Sequence, residues 1–151
     1  MKHYANRVFG TVLFSALVAL AIPPRVHAQP GCSNATLNGS FGYTNTGTIL
    51  AGPGAGPFGG VGRQTFDGKG NTEATATVSV NGNISHATIK GTYVMNANCT
   101  GSMTLLVTVG TETFTNHVNL VIVHGGAEFR AINADPGIVL TTLGSKQSRG
   151  D

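Results

Sequence analysis

The chain has 151 residues, with 22 Gly, two Cys, no Trp, 10% charged residues and a formal charge of +3. Lys2, Arg7 and Arg25 fall in the first 28 positions and no acid does, so the remainder carries six basic against six acidic residues and no net charge. A neutral chain of this length has no electrostatic footprint for nucleic acid or an anionic membrane, and it suits one domain around one core.

In chain order, residues 1–28 read as a cleaved secretory signal peptide. Lys2 and Arg7 are followed by an apolar run from Val8 to Ile22 and by the small-residue end Val26-His27-Ala28, which leaves Gln29 first. The run stops at Pro23-Pro24, short of the roughly 20 residues a spanning helix needs. Gln29 stands three before Cys32, where a lipid-anchored protein would carry an aliphatic residue. The expected product is secreted, extracellular or periplasmic, with no membrane segment after cleavage. Export also explains the cysteines: Cys32 and Cys99 can pair only with each other, and such a bridge in an oxidising compartment stabilises a small domain by roughly 2–5 kcal/mol.

From residue 29 onward, Gly, Thr and Asn supply 50 of 123 residues, whereas Lys, Glu and Gln together number nine. That is strand and turn material. Turn signals at Asp67-Gly68-Lys69-Gly70, Asn81-Gly82, Gly110-Thr111, Gly125-Gly126 and Asp135-Pro136-Gly137 separate eight predicted strands, at 40–50, 58–66, 72–80, 83–95, 101–109, 112–124, 127–133 and 138–143. A single β domain over 29–143 and a flexible tail over 144–151 follow.

Each hairpin turn fixes which residues face each other, so the pattern can be tested for one common apolar face. Around Asn81-Gly82, Ala74, Ala76 and Val78 fall with Ala87, Ile89, Tyr93 and Met95, leaving Thr75, Thr77, His86, Thr88 and Lys90 outside. Around Gly110-Thr111, Met103, Leu105 and Val107 fall beside Phe114, Asn116 and Val118; around Gly125-Gly126, Leu120 and Ile122 fall opposite Phe129 and Ala131. One bulged residue in the Asp67–Gly70 turn puts Gln64 and Phe66 on the face of Thr72 and Ala74. Sequential antiparallel strands with one apolar and one Thr-rich face predict an all-β, up-and-down β-barrel of about eight strands, which removes exposed edges; a two-sheet β-sandwich is the alternative.

The string Cys32-Ser33-Asn34-Ala35-Thr36-Leu37-Asn38-Gly39-Ser40-Phe41-Gly42-Tyr43, with Thr65-Phe66-Asp67-Gly68-Lys69-Gly70-Asn71, Gly91-Thr92-Tyr93 and Cys99-Thr100-Gly101, resembles a group of small exported bacterial proteins with calycin-like or allene-oxide-cyclase-like barrels. The resemblance covers nearly all of the chain after residue 28. It implies a barrel and a bacterial source, and names no reaction.

Other motifs carry little chemistry. Gly54-Ala55-Gly56-Pro57-Phe58-Gly59 fits G-x-G-x-x-G, but with no strand-to-helix turn around it this is a flexible loop. Asp67 to Asn71 reads as a tight turn before a calcium loop. His86 and His117 fall on the outer face. Glu128 and Arg130, two apart on an outward face, read as a surface ion pair. No catalytic residues, metal ligands or cofactor are expected, and oligomeric state is not encoded in any recognisable pattern. The interior polar groups Tyr43, Gln64, Tyr93, Asn116 and His124 are the candidate ligand-binding residues, because a few placed polar groups in an apolar hollow make a small-molecule site, and small inner residues such as Gly60, Gly62, Ala74, Ala76 and Gly91 would leave room. The expected role is binding of a small, largely apolar ligand. A barrel enzyme of cyclase or isomerase type and a structural or envelope-interaction protein with a filled barrel are the alternatives.

Overall fold

The computed structural model describes residues 31–52 and 54–148; the expected signal peptide lies outside the described residues. Eight antiparallel strands close into a barrel in sequential order: β1 (Asn38–Ile49), β2 (Gly56–Asp67), β3 (Asn71–Val80), β4 (Asn83–Met95), β5 (Thr100–Val109), β6 (Glu112–Val123), β7 (Glu128–Asn133) and β8 (Ile138–Lys146). Two three-residue 3-10 turns, Asn34–Thr36 and His124–Gly126, complete the regular structure of the described residues. The two-sheet alternative is set aside by the ladder that joins β1 to β8, from Phe41↔Lys146 to Ile49↔Ile138.

The strands form where period-2 alternation is cleanest. In β3, Thr72, Ala74, Ala76 and Val78 are buried while Asn71, Glu73 and Thr75 are exposed. The hairpin registers are those the turns dictate: Ala76↔Ala87, Leu105↔Asn116, Ile122↔Phe129 and, across the Asp67 turn, Gln64↔Ala74. Asn81 and Gly82 both adopt positive φ, at 49° and 87°, the backbone of a two-residue hairpin whose twist matches that of its strands.

Two stretches are more ordered than composition suggests. Gly56–Gly59 of the glycine-rich segment is strand, paired with Thr46–Ile49 of β1, which overturns the loop reading for those four residues. The expected tail begins too early: Gly144, Ser145 and Lys146 belong to β8. There the Lys146 N–H donates to Ala127 O at 2.7 Å, and the Gln147 N–H to Ser40 O at 2.8 Å. The outward ion pair is also corrected. Glu128 pairs with His124 (Nδ1–Oε2 3.2 Å), since residues two apart on a strand stand nearly 7 Å from each other, whereas the 3-10 turn folds His124 back to Glu128.

One end of the barrel is filled. Phe41, Phe66, Tyr93 and Phe129 are almost wholly buried and meet edge to face, with ring centroids 5.2 to 5.6 Å apart, contacts worth about 0.5–1.5 kcal/mol each beyond the area they bury. The segment before β1 closes over them. The Tyr93 hydroxyl donates to Leu37 O at 2.8 Å and lies 3.1 Å from Asn34 O, the Met95 N–H donates to Asn34 Oδ1 at 2.8 Å, and the Cys32–Cys99 disulfide ties the segment to the β4–β5 loop. Such a bridge is compatible with an oxidising compartment.

Glycines make this packing possible. Gly144 stands opposite Phe129, and a Cβ there would run into the ring. Gly62 stands opposite Tyr43 and Gly60 opposite Asn45, with the Tyr43 phenol and the Asn45 amide lying where side chains at 62 and 60 would be. Gly91 does the same for Leu105. Inner glycines therefore seat the bulky residue across the ladder rather than enlarge the hollow, which corrects the expectation for Gly60, Gly62 and Gly91.

Gly144→Val should lower stability by about 1–3 kcal/mol through overpacking against Phe129; a thermal melt indistinguishable from wild type would show that the ring is free to move aside. The Asp67 turn gives a pH-dependent test. Asp67 Oδ1 accepts the N–H groups of Lys69, Gly70 and Asn71 at 2.7 to 2.9 Å, and Oδ2 accepts Asn71 Nδ2 at 2.6 Å. The Asn71 side chain first, then the turn's N–H groups, hold the carboxyl down at about 2. A carboxyl depressed on folding contributes stability above its unfolded value of about 3.9 and loses it as pH falls through the folded value. Denaturant unfolding measured from pH 5 to pH 2 should therefore show a decline that Asp67→Asn removes in part, and equal slopes for both proteins would count against the turn's role.

Candidate functional site

The other end of the barrel is hollow. A cavity of about 310 Å3 opens between the β1–β2, β3–β4, β5–β6 and β7–β8 connections, above a floor formed by Tyr43, Gln64 and Met103. Strand parity supplies its walls. Ala74, Ala76, Val78, Ala87, Ile89, Leu105 and Val107 from β3, β4 and β5 make an apolar side; the alanines leave the space here that the glycines elsewhere do not.

The opposite side is mixed, with Ile49, Phe114, Val118, Ile138 and Leu140 among its polar groups. Asn45, Asn116, Asn133 and Thr142 all line the cavity. Their strands are adjacent, and the registers bring them to one level: Asn45 stands opposite Thr142, Asn133 lies two residues beyond the partner of Thr142, and Asn116 lies two residues from the partner of Asn133. Diagonal neighbours of this kind are within about 7–8 Å. Asn133 Oδ1 accepts the Asp135 N–H at 2.7 Å. Asn45 Oδ1 is buried and has no hydrogen-bond partner.

Of the residues expected from sequence, Tyr43, Gln64 and Asn116 line the cavity. Gln64 is partly committed to the wall, since its amide nitrogen donates to Thr72 Oγ1 at 3.0 Å. Burial pushes the Tyr43 phenol up to about 12, so it remains a protonated hydrogen-bond donor throughout the neutral range. Tyr93 and His124 do not belong to the site. Tyr93 shares the inward parity but lies deeper, in the aromatic layer, with its hydroxyl committed to the Leu37 and Asn34 carbonyls. His124 sits on the 3-10 turn at the filled end with its side chain 67% exposed, because that turn takes it out of strand alternation.

Asn45, Asn133 and Thr142 are the cavity residues that sequence reasoning missed. Asn45 follows Tyr43 by two and Asn133 follows Ala131 by two, so their parity was readable. Thr142 stands opposite Ala131 across the β7–β8 ladder, so its parity follows from the Asp135-Pro136-Gly137 hairpin.

The rim is uneven. The β6–β7 ladder begins at Val118↔Asn133, so the start of β6 pairs on its β5 side alone, and Phe114, inward by parity, is 46% exposed. Below this gap the β7–β8 connection is pinned to β6. The His117 N–H donates to Asp135 Oδ2 and His117 Nδ1 lies against Asp135 Oδ1, both at 2.8 Å, and these bonds, the backbone one foremost, keep the Asp135 carboxyl below its usual range. The pair sits on the outer wall, as expected for His117, and fastens a loop rather than facing the cavity. Among the described residues, no charged or histidine side chain lines the cavity, and no three His, Cys, Asp or Glu side chains gather to hold a metal ion.

The two inward tyrosines should separate experimentally. Tyr93→Phe orphans the buried Leu37 carbonyl and should cost about 1–3 kcal/mol, whereas Tyr43→Phe should stay within about 0.5 kcal/mol of wild type. Chemical denaturation of both variants checks this, and equal losses would mean that the Tyr43 hydroxyl also holds the fold. Comparison of the chain with protein-family models, curated proteins and solved structures finds no match.

Proposed function

We propose that the protein is an exported barrel that binds a small, largely apolar ligand in the open half of its interior. The observation that carries this reading is the hollow itself: about 310 Å3 lies within the range of small-molecule sites, and an apolar wall faces a few polar groups across it. A purely structural barrel would gain by filling that volume, since packed interiors are denser and more stable than hollow ones. A cyclase or isomerase would need a group to take or give a proton near the ligand, and the one titratable side chain among the described lining residues is Tyr43, held in its protonated form by burial. Binding is therefore favoured over catalysis. Export follows from the signal-peptide pattern and suits the disulfide, and kinship with calycin-like barrels is part of the same proposal.

The test is a titration with the neutral environment-sensitive dye N-phenyl-1-naphthylamine. Wild type should give saturable, blue-shifted fluorescence at one site, and Ala76→Phe, which projects a ring into the hollow, should weaken it by at least about tenfold, ~1.4 kcal/mol, with the fold intact by circular dichroism. Absence of saturable binding to wild type, or equal binding by the variant, overturns the reading.

A further inference from the structure

The polar groups of the cavity are unevenly placed along its depth. The rim is apolar: Ile49, Phe58, Val80, Val109, Phe114 and Ile138 line the hollow from the open ends of their strands. Tyr43 and Gln64 lie at the floor, only 7% and 5% exposed. The Gln64 amide has a fixed sense. Thr72 Oγ1 donates its one proton to Thr65 O at 2.9 Å, so it accepts from Gln64 Nε2, at 3.0 Å, and Nε2 also lies 3.7 Å from Met103 Sδ; Oε1 is the end left over. Tyr43 is held as well, its phenol lying over the inner face of Gly62, where even a methyl group would collide with it. Neither Tyr43 Oη nor Gln64 Oε1 has a protein partner among the described residues, and neither is sealed from solvent as the partnerless Asn45 Oδ1 is. Both therefore keep open surface inside the barrel, on the hollow that their residues line. Burial keeps the Tyr43 phenol protonated, so the floor offers one donor and one acceptor. Their residues are diagonal neighbours across the β1–β2 ladder, through Tyr43↔Gly62, within about 7–8 Å of each other.

We propose that the cavity takes an uncharged ligand polar end first, a hydroxyl or carboxamide that accepts from the Tyr43 hydroxyl and donates to Gln64 Oε1, with its apolar body between the β3–β5 wall and the rim. This deepens the binding reading above and rests on it. A ligand displaces whatever water enters the hollow, and one that cannot replace that water's bonds leaves both floor groups buried and unpaired. A carboxylate could accept from Tyr43 but would set an oxygen against Gln64 Oε1. No side chain among the described lining residues offers it a counter-charge, so its burial costs far more than that of a hydrogen-bonded neutral group. At about 30 Å3 for each heavy atom, the share of one water in the liquid, the hollow takes a body of roughly ten heavy atoms, and a longer tail would leave through the rim. The class selected is a small neutral alcohol or amide with an apolar tail.

Three rigid probes of nearly equal size test it by calorimetry at pH 7: 2-naphthol, which accepts and donates; 2-methylnaphthalene, which does neither; and 2-naphthoate, which is charged. Tyr43→Phe, which orphans no protein group, should weaken 2-naphthol by roughly three- to tenfold, the worth of one hydrogen bond, and leave 2-methylnaphthalene within about twofold. Wild type should bind 2-naphthoate at least about a hundredfold more weakly than 2-naphthol, as an uncompensated charge requires. Nuclear magnetic resonance of the wild-type complex should place the naphthol protons beside the hydroxyl against the Met103 methyl and the far ring against Phe114. Equal changes for naphthol and methylnaphthalene in Tyr43→Phe, naphthoate binding as tight as naphthol, or a hydroxyl seated at the rim each overturns the assignment while leaving cavity binding intact. Should the variant not fold, the naphthoate ratio and the wild-type contacts decide. If neither the naphthalenes nor the dye bind wild type, the binding reading fails first and this one with it.

Discussion

The interior of an eight-stranded barrel holds little more than its own side chains, so volume has to be apportioned residue by residue across each ladder. Here that constraint is met by setting glycine against bulk. Phe129 is seated over Gly144, Tyr43 over Gly62, Asn45 over Gly60 and Leu105 over Gly91. In the dense layer Phe129 is seated this way, whereas Phe41 faces Gln64 and Tyr93 faces Met103 across their ladders. Where alanine faces alanine, as at Ala76 and Ala87, neither residue fills the middle and a hollow remains.

The division also explains why polar groups collect where they do. A hydroxyl or amide in the dense layer must find a protein partner, and Tyr93 finds two carbonyls of the covering segment. Beside the hollow the rule is looser: Asn45 Oδ1 is shut off from solvent and has no partner. Asn45, Asn116, Asn133 and Thr142 lie on β1 and β6 to β8, interspersed with Ile49, Phe114, Val118, Ile138 and Leu140, while the β3–β5 wall is aliphatic. The chemistry of the site follows from its location in the barrel.

Much of this is legible in the amino-acid sequence. Turn residues such as Asn81-Gly82 and Asp67-Gly68-Lys69-Gly70 mark hairpins, and hairpin parity assigns inner and outer faces, so Leu105 and Thr77 could be placed without a structure. Parity does not give depth. Tyr43 and Tyr93 share the inward face, and only the stagger of a tilted barrel puts one beside the cavity and the other in the aromatic layer. The β1–β8 seam has no turn to fix its register, which is why the Asn45–Thr142 neighbourhood could not be read and why β8 was ended too soon. His124 was misplaced for another reason: at φ 51° it has left strand geometry, and alternation does not apply.

The seam between β1 and β8 also bears on how the molecule forms. Every other ladder joins strands that are adjacent in the chain, so hairpins can assemble locally with little loss of loop entropy. Closing the seam requires Phe41 to meet Lys146, the most sequence-distant pairing in the barrel, and until then both strands present unpaired edges of the kind that recruit other chains. The interval before closure is thus the protein's period of greatest exposure to aggregation. In an oxidising compartment, early formation of the Cys32–Cys99 bond tethers the start of β1 to the middle of the meander and reduces the conformational search that the last strand has to complete.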